Sequence, residues 1–209
     1  MIYGEDSMPS DIVERAKESG AKTIAYTYTE PTVFFELAYD TAKIAAASGL
    51  KNVFVTNGFM TPEAIEIIAP YLSAANVDLK SFRDEFYKKR CGARLVPVLD
   101  SLKKMKERGI WVEITTLLIP SLNDSEEEMR DIAQFIAGLG RETPWHISRF
   151  FPTYKLVDAP PTPIETLRRA ADAGRDAGLD FIYVGNIGGE NNTICPRCGH
   201  LLVRRSGYR

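Results

Sequence analysis

Cysteine and histidine are scarce in this 209-residue chain, which has three of the first and two of the second. Three cysteines are an odd count in a long chain, so a disulfide framework is excluded and they read as free thiols or metal ligands. Charge of one sign is also lacking: 26 Lys+Arg stand against 28 Asp+Glu, a formal net charge of −2. No global field favours nucleic acid or an anionic membrane, and neither is expected as a partner. A small basic tail of Arg204, Arg205 and Arg209 does not change that balance. There is no run of about 18 apolar residues of the kind a transmembrane helix needs. The first ten residues, with Glu5, Asp6 and Pro9, resemble neither a signal peptide nor a transit peptide, so a cytoplasmic location is expected. What is present is 44% hydrophobic residues, enough for one sizeable core with at most a small appendage; disorder is excluded for most of the chain.

One pattern recurs. A helical stretch closes on glycine, and a β-branched or aromatic run begins shortly afterwards: Gly20 before 23–28, Gly49 before 53–56, Gly109 before 110–116 and Gly178 before 181–184. Glycine there takes the left-handed conformation that ends a helix. Two further runs, 75–78 and 145–148, fill the gaps, so strands recur at the spacing that strand–loop–helix–loop units require. Helix starts are readable at Ser10, at Thr61-Pro62-Glu63, at Ser125 followed by three glutamates, and at Thr162-Pro163-Ile164-Glu165. The reading is a helix, six βα-type units, a Gly/Asn-rich loop and a short cysteine-bearing tail. Apolar strands without clean alternation suit a parallel sheet covered by helices. An open doubly wound sheet and a full or partial (β/α) barrel both fit.

In either architecture ligands bind at the carboxyl ends of the strands. Those ends carry Thr27, Thr29 and Glu30; Thr56 and Asn57; Asp78 and Lys80; Thr115 and Thr116; His146, Ser148 and Arg149; and Gly185 and Asn186. Nearly every strand thus sends a polar side chain to one rim, as a polar, multifunctional ligand demands. Glu30 is placed to accept hydrogen bonds from an ammonium group; alternatively, Thr29 caps a helix with Pro31 in its first turn. Thr56-Asn57-Gly58 reads as a site loop or as a simple turn, with Gly58 supplying a permissive backbone either way. Asp78 and Lys80, two apart in a strand, share a face and can form an ion pair, while a lysine at such a position is also where Schiff-base aldolases keep their nucleophile. In 119–124 a strand ends, turns and caps the next helix. His146 reads either as a satisfied core histidine or as part of the site with Ser148 and Arg149. Cys195-Pro196-Arg197-Cys198-Gly199 has the compact form in which two thiolates grip a tetrahedral metal, though one CxxC is half a site. A redox dithiol is the other reading of that pair. Gly188-Gly189-Glu190, after the last strand, reads as loop.

Taken in order, Tyr26-Thr27-Tyr28-Thr29-Glu30-Pro31-Thr32, Val55-Thr56-Asn57-Gly58, Val77-Asp78-Leu79-Lys80, Ile119-Pro120-Ser121-Leu122-Asn123-Asp124, His146-Ile147-Ser148-Arg149-Phe150 and Cys195-Pro196-Arg197-Cys198 resemble the radical S-adenosylmethionine enzymes. The closest branch is the one similar to pyruvate formate-lyase activating enzymes and named AmmeMemoRadiSam. The resemblance covers essentially the whole chain. It implies an α/β fold, a partial parallel (β/α)6 TIM-like barrel missing its first strand over residues 1–186, followed by a Gly/Asn-rich loop and a CxxC metal-knuckle tail over 187–209. It implies S-adenosylmethionine beside a four-iron, four-sulfur cluster, with reductive cleavage to a 5′-deoxyadenosyl radical that abstracts hydrogen. An electron donor and a protein or small-molecule radical acceptor are then expected partners. Carried over, Thr29 and Glu30 correspond to the Gly-Gly-Glu-type motif that holds the methionine amino group, with Tyr28-Thr29 replacing the usual glycines. Thr56 and Asn57 correspond to the Thr-Asn-Gly segment, with Val55 where activating enzymes often carry an acidic residue. Asp78 and Lys80 correspond to the strand that meets the methionyl moiety, and His146 would lie near the ribose. The family's CxxxCxxC loop does not occur, and Cys91, Cys195 and Cys198 lack its spacing. The resemblance therefore implies an N-terminally shortened member unable to build the cluster by itself, with zinc the metal expected at Cys195 and Cys198. Two other readings of the residues are a class I aldolase-like lyase using Lys80 and a non-catalytic zinc-knuckle adaptor.

Overall fold

A computed structural model describes residues 6–188 and 191–205. Gly189, Glu190 and Arg209, and the first five residues, lie outside them. The elements run α1 (Pro9–Glu18), β1 (Thr23–Tyr26), α2 (Phe35–Ala47), β2 (Lys51–Thr56), α3 (Pro62–Ile68), β3 (Ala74–Asp78), α4 (Asp84–Phe86) continuing as a π-helical turn (Tyr87–Cys91), α5 (Leu95–Glu107), β4 (Trp111–Leu118), α6 (Glu126–Leu139), β5 (Trp145–Arg149), α7 (Ile164–Asp176), β6 (Ile182–Gly185), β7 (Thr193–Ile194) and β8 (Leu201–Val203). All six strands expected from the sequence form, β1 to β6 follow one another in sheet order, and β7 and β8 make a separate hairpin.

The chain divides into two compact units, Met1–Val77 with Pro97–Val112 and Asp78–Val96 with Glu113–Arg209. In the first, β1 pairs parallel with β2 and β2 with β3, and Trp111 N–H donates to Ser73 O at 3.2 Å. Its strands bury alternate residues: Asn52, Phe54 and Thr56 are buried, whereas Val55 is 39% exposed. Asn52 is the polar pin of this core. Its Nδ2 donates to Ala42 O and Tyr71 O, both at 3.0 Å, and its Oδ1 accepts from Tyr26 Oη at 3.0 Å. Both its amide hydrogens and its oxygen are bonded, which a buried amide requires, since an unmet group costs roughly 1–3 kcal/mol. Burial pushes the Tyr26 phenol above its ordinary range, so it stays a neutral donor.

In the second unit β4 pairs parallel with β5 and β5 with β6, and Leu79 N–H donates to Thr115 O at 3.0 Å. Ile114, Thr116 and Leu118 of β4 are buried, while Leu117 is partly open. The core beneath is Met129, Ile132 and Ile136 of α6, Leu167 and Ala170 of α7, and Trp145, whose indole N–H donates to Thr116 Oγ1 at 3.0 Å. A doubly wound sheet covers both faces of its strands and buries both sets of residues. Here each unit buries one parity and leaves the other accessible, the pattern of a one-sided (β/α) wall, which settles a choice the periodicity left open.

Three helix starts differ from expectation. The N-cap of α1 is Met8, and Ser10 is its second helical residue. Pro9 takes the first helical position, where its missing N–H costs nothing, and Asp11 Oδ2 accepts the Met8 N–H at 3.0 Å. Thr162 does not cap α7, whose N-cap is Pro163. The Thr162 hydroxyl is buried, accepting from Phe150 N–H at 3.0 Å and donating to Leu118 O at 2.6 Å. Nor does a helix open at Thr29: α2 begins at Phe35, after a turn in which Val33 N–H donates to Glu30 O at 2.9 Å. Thr61 and Ser125 cap as expected, accepting from Ala64 N–H and Glu128 N–H, each at 3.2 Å.

Candidate functional site

In the first unit the polar groups that follow β1 and β2 converge on Glu30. Its Oε1 accepts from Thr56 Oγ1 at 2.6 Å, from Thr32 Oγ1 at 3.2 Å and from Thr32 N–H at 3.4 Å. Its Oε2 accepts from Asn57 N–H at 2.8 Å. Thr56 can do this because it is the buried last residue of β2, and its oxygen in turn accepts Gly58 N–H at 3.1 Å. Gly58 has a φ of +72°, and a Cβ there would stand 2.6 Å from Val77 Cγ1. Conformation and space both demand glycine, so the tight passage after β2 aims the Asn57 N–H at the carboxylate. Asn57 Oδ1 closes the turn by accepting Phe59 N–H at 2.8 Å. A carboxylate offers about four acceptor sites. Oε1 is crowded, whereas Oε2 carries one donor among the described residues and keeps room for a second. The half-buried Glu30 is therefore a pre-set acceptor for a cationic donor, and Thr29 beside it is exposed. An apolar hollow of about 380 Å³ in the same unit is lined by Phe59, Met60, Pro62, Ile65, Pro97 and Ser101 and by none of the expected cofactor residues.

In the second unit Asp78 and Lys80 point together as their spacing predicts, with Lys80 Nζ 2.8 Å from Asp78 Oδ2. Both side chains are about two-fifths exposed, at 38% and 40%. A Schiff-base lysine sits in a desolvated pocket or beside another cation; Lys80 is partly exposed and paired with a carboxylate, so the geometry disfavours the aldolase reading. Three groups absent from the expected set fix this strand end. Lys80 N–H donates to Tyr87 Oη at 3.1 Å, from the π-helical turn. Asn123 Nδ2 donates to Lys80 O at 2.7 Å and Leu117 O at 2.8 Å, while its Oδ1 accepts Ile119 N–H at 2.6 Å. Glu128, in the first turn of α6, is buried and accepts from the Ser81 hydroxyl and, at 2.7 Å, from Phe82 N–H. In the sequence Asn123 passed for a turn residue and Glu128 for a dipole charge, because nothing local shows that either is buried. Burial pushes the Tyr87 phenol above its ordinary range.

His146 is the second residue of β5 rather than a residue of its carboxyl end, which is occupied by Ser148 and Arg149. Its Nε2 lies 2.6 Å from Glu113 Oε2, and its ring stacks on Tyr183 at 5.1 Å between centroids and 25° between planes. The alternation of 113 and 115 on the open face of β4 is the signal that could have found Glu113. Arg149 turns away from this group, donating Nε–H to Thr162 O at 2.7 Å with its guanidinium 4.8 Å from the Phe151 ring centroid.

The cysteines do not gather. Cys91 ends the π-helical turn and is exposed, Cys195 and Cys198 share the turn between β7 and β8, and all three are free thiols. Among the described residues no three His, Cys, Asp or Glu side chains are grouped to hold a metal. The described residues therefore do not fit an iron–sulfur cluster, which needs three thiolates on one site. No described helix is long and apolar enough to cross a membrane.

Comparison with known proteins bears on this arrangement. Residues 5–136 match the family described as the Radical SAM superfamily. An uncharacterized protein of Methanocaldococcus jannaschii is 48% identical over 200 residues, covering 94% of this chain and 59% of that protein. An isethionate sulfite-lyase activating enzyme of Oleidesulfovibrio alaskensis is 30% identical over 96 residues, covering 44% of this chain and 31% of the enzyme. The chain thus spans well under two thirds of the length of these relatives. Among solved structures, a domain of pyruvate-formate lyase-activating enzyme from Bacteroides vulgatus superposes with a TM-score of 0.67 at 19% identity, over 78% of this chain and 98% of that one. SuiB of Streptococcus suis bound to S-adenosylmethionine gives 0.70 at 15% identity, over 89% of this chain and 45% of that one. These likenesses show the fold, an α/β arrangement of parallel strands as in a partial TIM-like barrel.

Proposed function

This chain belongs to the radical SAM superfamily, and on that premise we propose that it carries the S-adenosylmethionine-holding residues of an enzyme of the glycyl-radical-activase kind. The observation that supports this most directly is the Glu30 carboxylate, fixed by Thr56 and Asn57 with Oε2 able to accept one more donor. A methionyl ammonium is such a donor, and a charge-assisted bond to a held carboxylate is among the stronger ones a protein can offer. When bound, S-adenosylmethionine supplies a sulfonium that, on one-electron reduction, yields the hydrogen-abstracting group of the family.

The chain's own residues bind and orient. Glu30 takes the ammonium, Thr56 and the Asn57 N–H keep its carboxylate from rotating, and Thr29 lies beside it as a further polar contact. In the second unit, Asp78 and Lys80 present paired charges, and His146 is tied to Glu113. This chemistry also requires a one-electron donor and a hydrogen-donating acceptor, protein or small molecule. The described cysteines do not fit a cluster.

Equilibrium dialysis of the chain against labelled S-adenosylmethionine tests the reading. Saturable binding that Glu30→Gln weakens about 13- to 150-fold, the equivalent of roughly 1.5–3 kcal/mol for a charge-assisted hydrogen bond, is expected. Binding of equal strength in the wild-type and Glu30→Gln proteins overturns it.

A further inference from the structure

The tail holds a feature that S-adenosylmethionine binding does not use. Residues 193–203 form a hairpin, β7 against β8, with Cys195-Pro196-Arg197-Cys198-Gly199 as its turn. Cys195 N–H donates to His200 O at 2.8 Å, and Gly199 N–H donates to Cys195 O at 2.9 Å. Gly199 has a φ of +71°, the left-handed conformation that folds the chain back beneath the two thiols. The backbone N–H groups of Arg197 and Cys198 both donate to the Cys195 sulfur, and the Cys198 side chain is bonded to it as well.

The hairpin is fastened to the wall beneath it. Asn191 pairs with the Val184 backbone through Nδ2 to O at 2.8 Å and Oδ1 from N–H at 3.1 Å. Tyr183 Oη lies 2.8 Å from Thr193 Oγ1, and the Arg205 guanidinium stands 5.2 Å over the Tyr183 ring. The two thiols are thus presented on an anchored turn with no disulfide between them, Cys198 exposed and Cys195 partly so.

From this geometry we infer that Cys195 and Cys198 form a two-thiolate half-site for a tetrahedral divalent metal, with zinc the ion it suits best. A CxxC turn is one half of the four-ligand structural zinc site, and thiolate is the ligand zinc prefers there. A redox dithiol of the thioredoxin kind needs its first cysteine at a helix N-terminus, and here a β-turn takes that place. Coordination exchanges two S–H bonds for two metal–sulfur bonds and releases two protons to solvent, so no oxidant or reductant is involved. Cys91 and His200 do not join the pair in a group of three. Solvent, or donors from another polypeptide, take the remaining two positions.

Titration of the reduced full chain with Co2+ tests this. A thiolate-to-cobalt charge-transfer band with the visible bands of tetrahedral cobalt is expected, displaced by Zn2+. Cys195→Ser and Cys198→Ser should each lose it while Cys91→Ser keeps it, and far-ultraviolet circular dichroism should show all three folded. Absence of the band, its survival in Cys195→Ser or Cys198→Ser, or formation of a Cys195–Cys198 disulfide under metal-loading conditions overturns the inference. Dialysis against S-adenosylmethionine on the same samples keeps this outcome separate from that of the Glu30 proposal.

Discussion

Thr56 and Glu30 meet through a single short bond, Oγ1 to Oε1 at 2.6 Å, although 26 positions separate them in the chain. Parallel pairing of β1 with β2 brings the segments after the two strands side by side, and the buried Thr56 hydroxyl then has one charged acceptor within reach. Thr56→Val keeps the shape and removes that donor. It should weaken S-adenosylmethionine binding by roughly 1 kcal/mol, about fivefold, because the carboxylate loses one of its restraints and not its charge. Equilibrium dialysis beside the Glu30→Gln protein reads the difference; a Thr56→Val protein that binds as poorly as Glu30→Gln would contradict the division of roles.

Gly58→Ala should destabilise the first unit by roughly 1–3 kcal/mol, since alanine is disfavoured at positive φ and its methyl meets Val77 Cγ1. Urea unfolding measures it. A midpoint unchanged from wild type would show that the passage after β2 does not need glycine.

Asn123→Ala removes the partner of three backbone groups: Lys80 O, Leu117 O and Ile119 N–H. Leaving them unpaired should cost roughly 2–4 kcal/mol. Hydrogen exchange at Ile119 should accelerate along with the loss of stability, and protection at that amide equal to wild type would refute the assignment.

Asp84 gives a pH dependence with a definite sign. Its carboxylate accepts Leu95 N–H at 3.0 Å and lies 3.1 Å from Lys88 Nζ and 2.8 Å from Arg94. The Leu95 bond first, then Lys88 and Arg94, lower its pKa from 3.8 to about 2. A carboxyl depressed in the folded state stabilises it at pH values above the unfolded pKa and loses that contribution as pH falls through the folded one. Stability should therefore decline from about pH 4 to about pH 2, and Asp84→Asn should show a shallower decline over that window. Urea midpoints measured across it decide the matter; parallel profiles for the two proteins would exclude Asp84 as a source.

Much of the fold was legible in the chain. Glycine stops followed by β-branched runs located four of the six strands, runs in the gaps between them located the other two, and Thr61 and Ser125 announced their helices, because capping and period are local properties of the backbone. The start of α1 was misread by two residues, since a proline that fits the first helical position outweighs a serine beside it. Thr162 was misread altogether, because an unpaired N–H of Phe150 and an unpaired carbonyl of Leu118 claim its hydroxyl, and both lie far along the sequence.

The candidate site divides in the same way. Asp78 and Lys80 are two apart in a strand, so their ion pair follows from the pleat alone. Glu30 was named from its motif, but its hold on Thr56 and Asn57 is a product of strand pairing. His146 was expected at a strand end; the register that sets Thr115 against His146 brings it instead to Glu113 and Tyr183.

What the chain determined unaided is the succession of strands and helices, its family resemblance, and the turn that sets Cys195 beside Cys198. Short-range sterics and hydrogen bonding suffice for each. Tertiary structure alone decided which face of the strands stayed open, where Asn123 and Glu128 are buried, and which donors reach the Glu30 carboxylate. Those outcomes depend on register and burial, and both arise only when segments dozens of residues apart exclude water together.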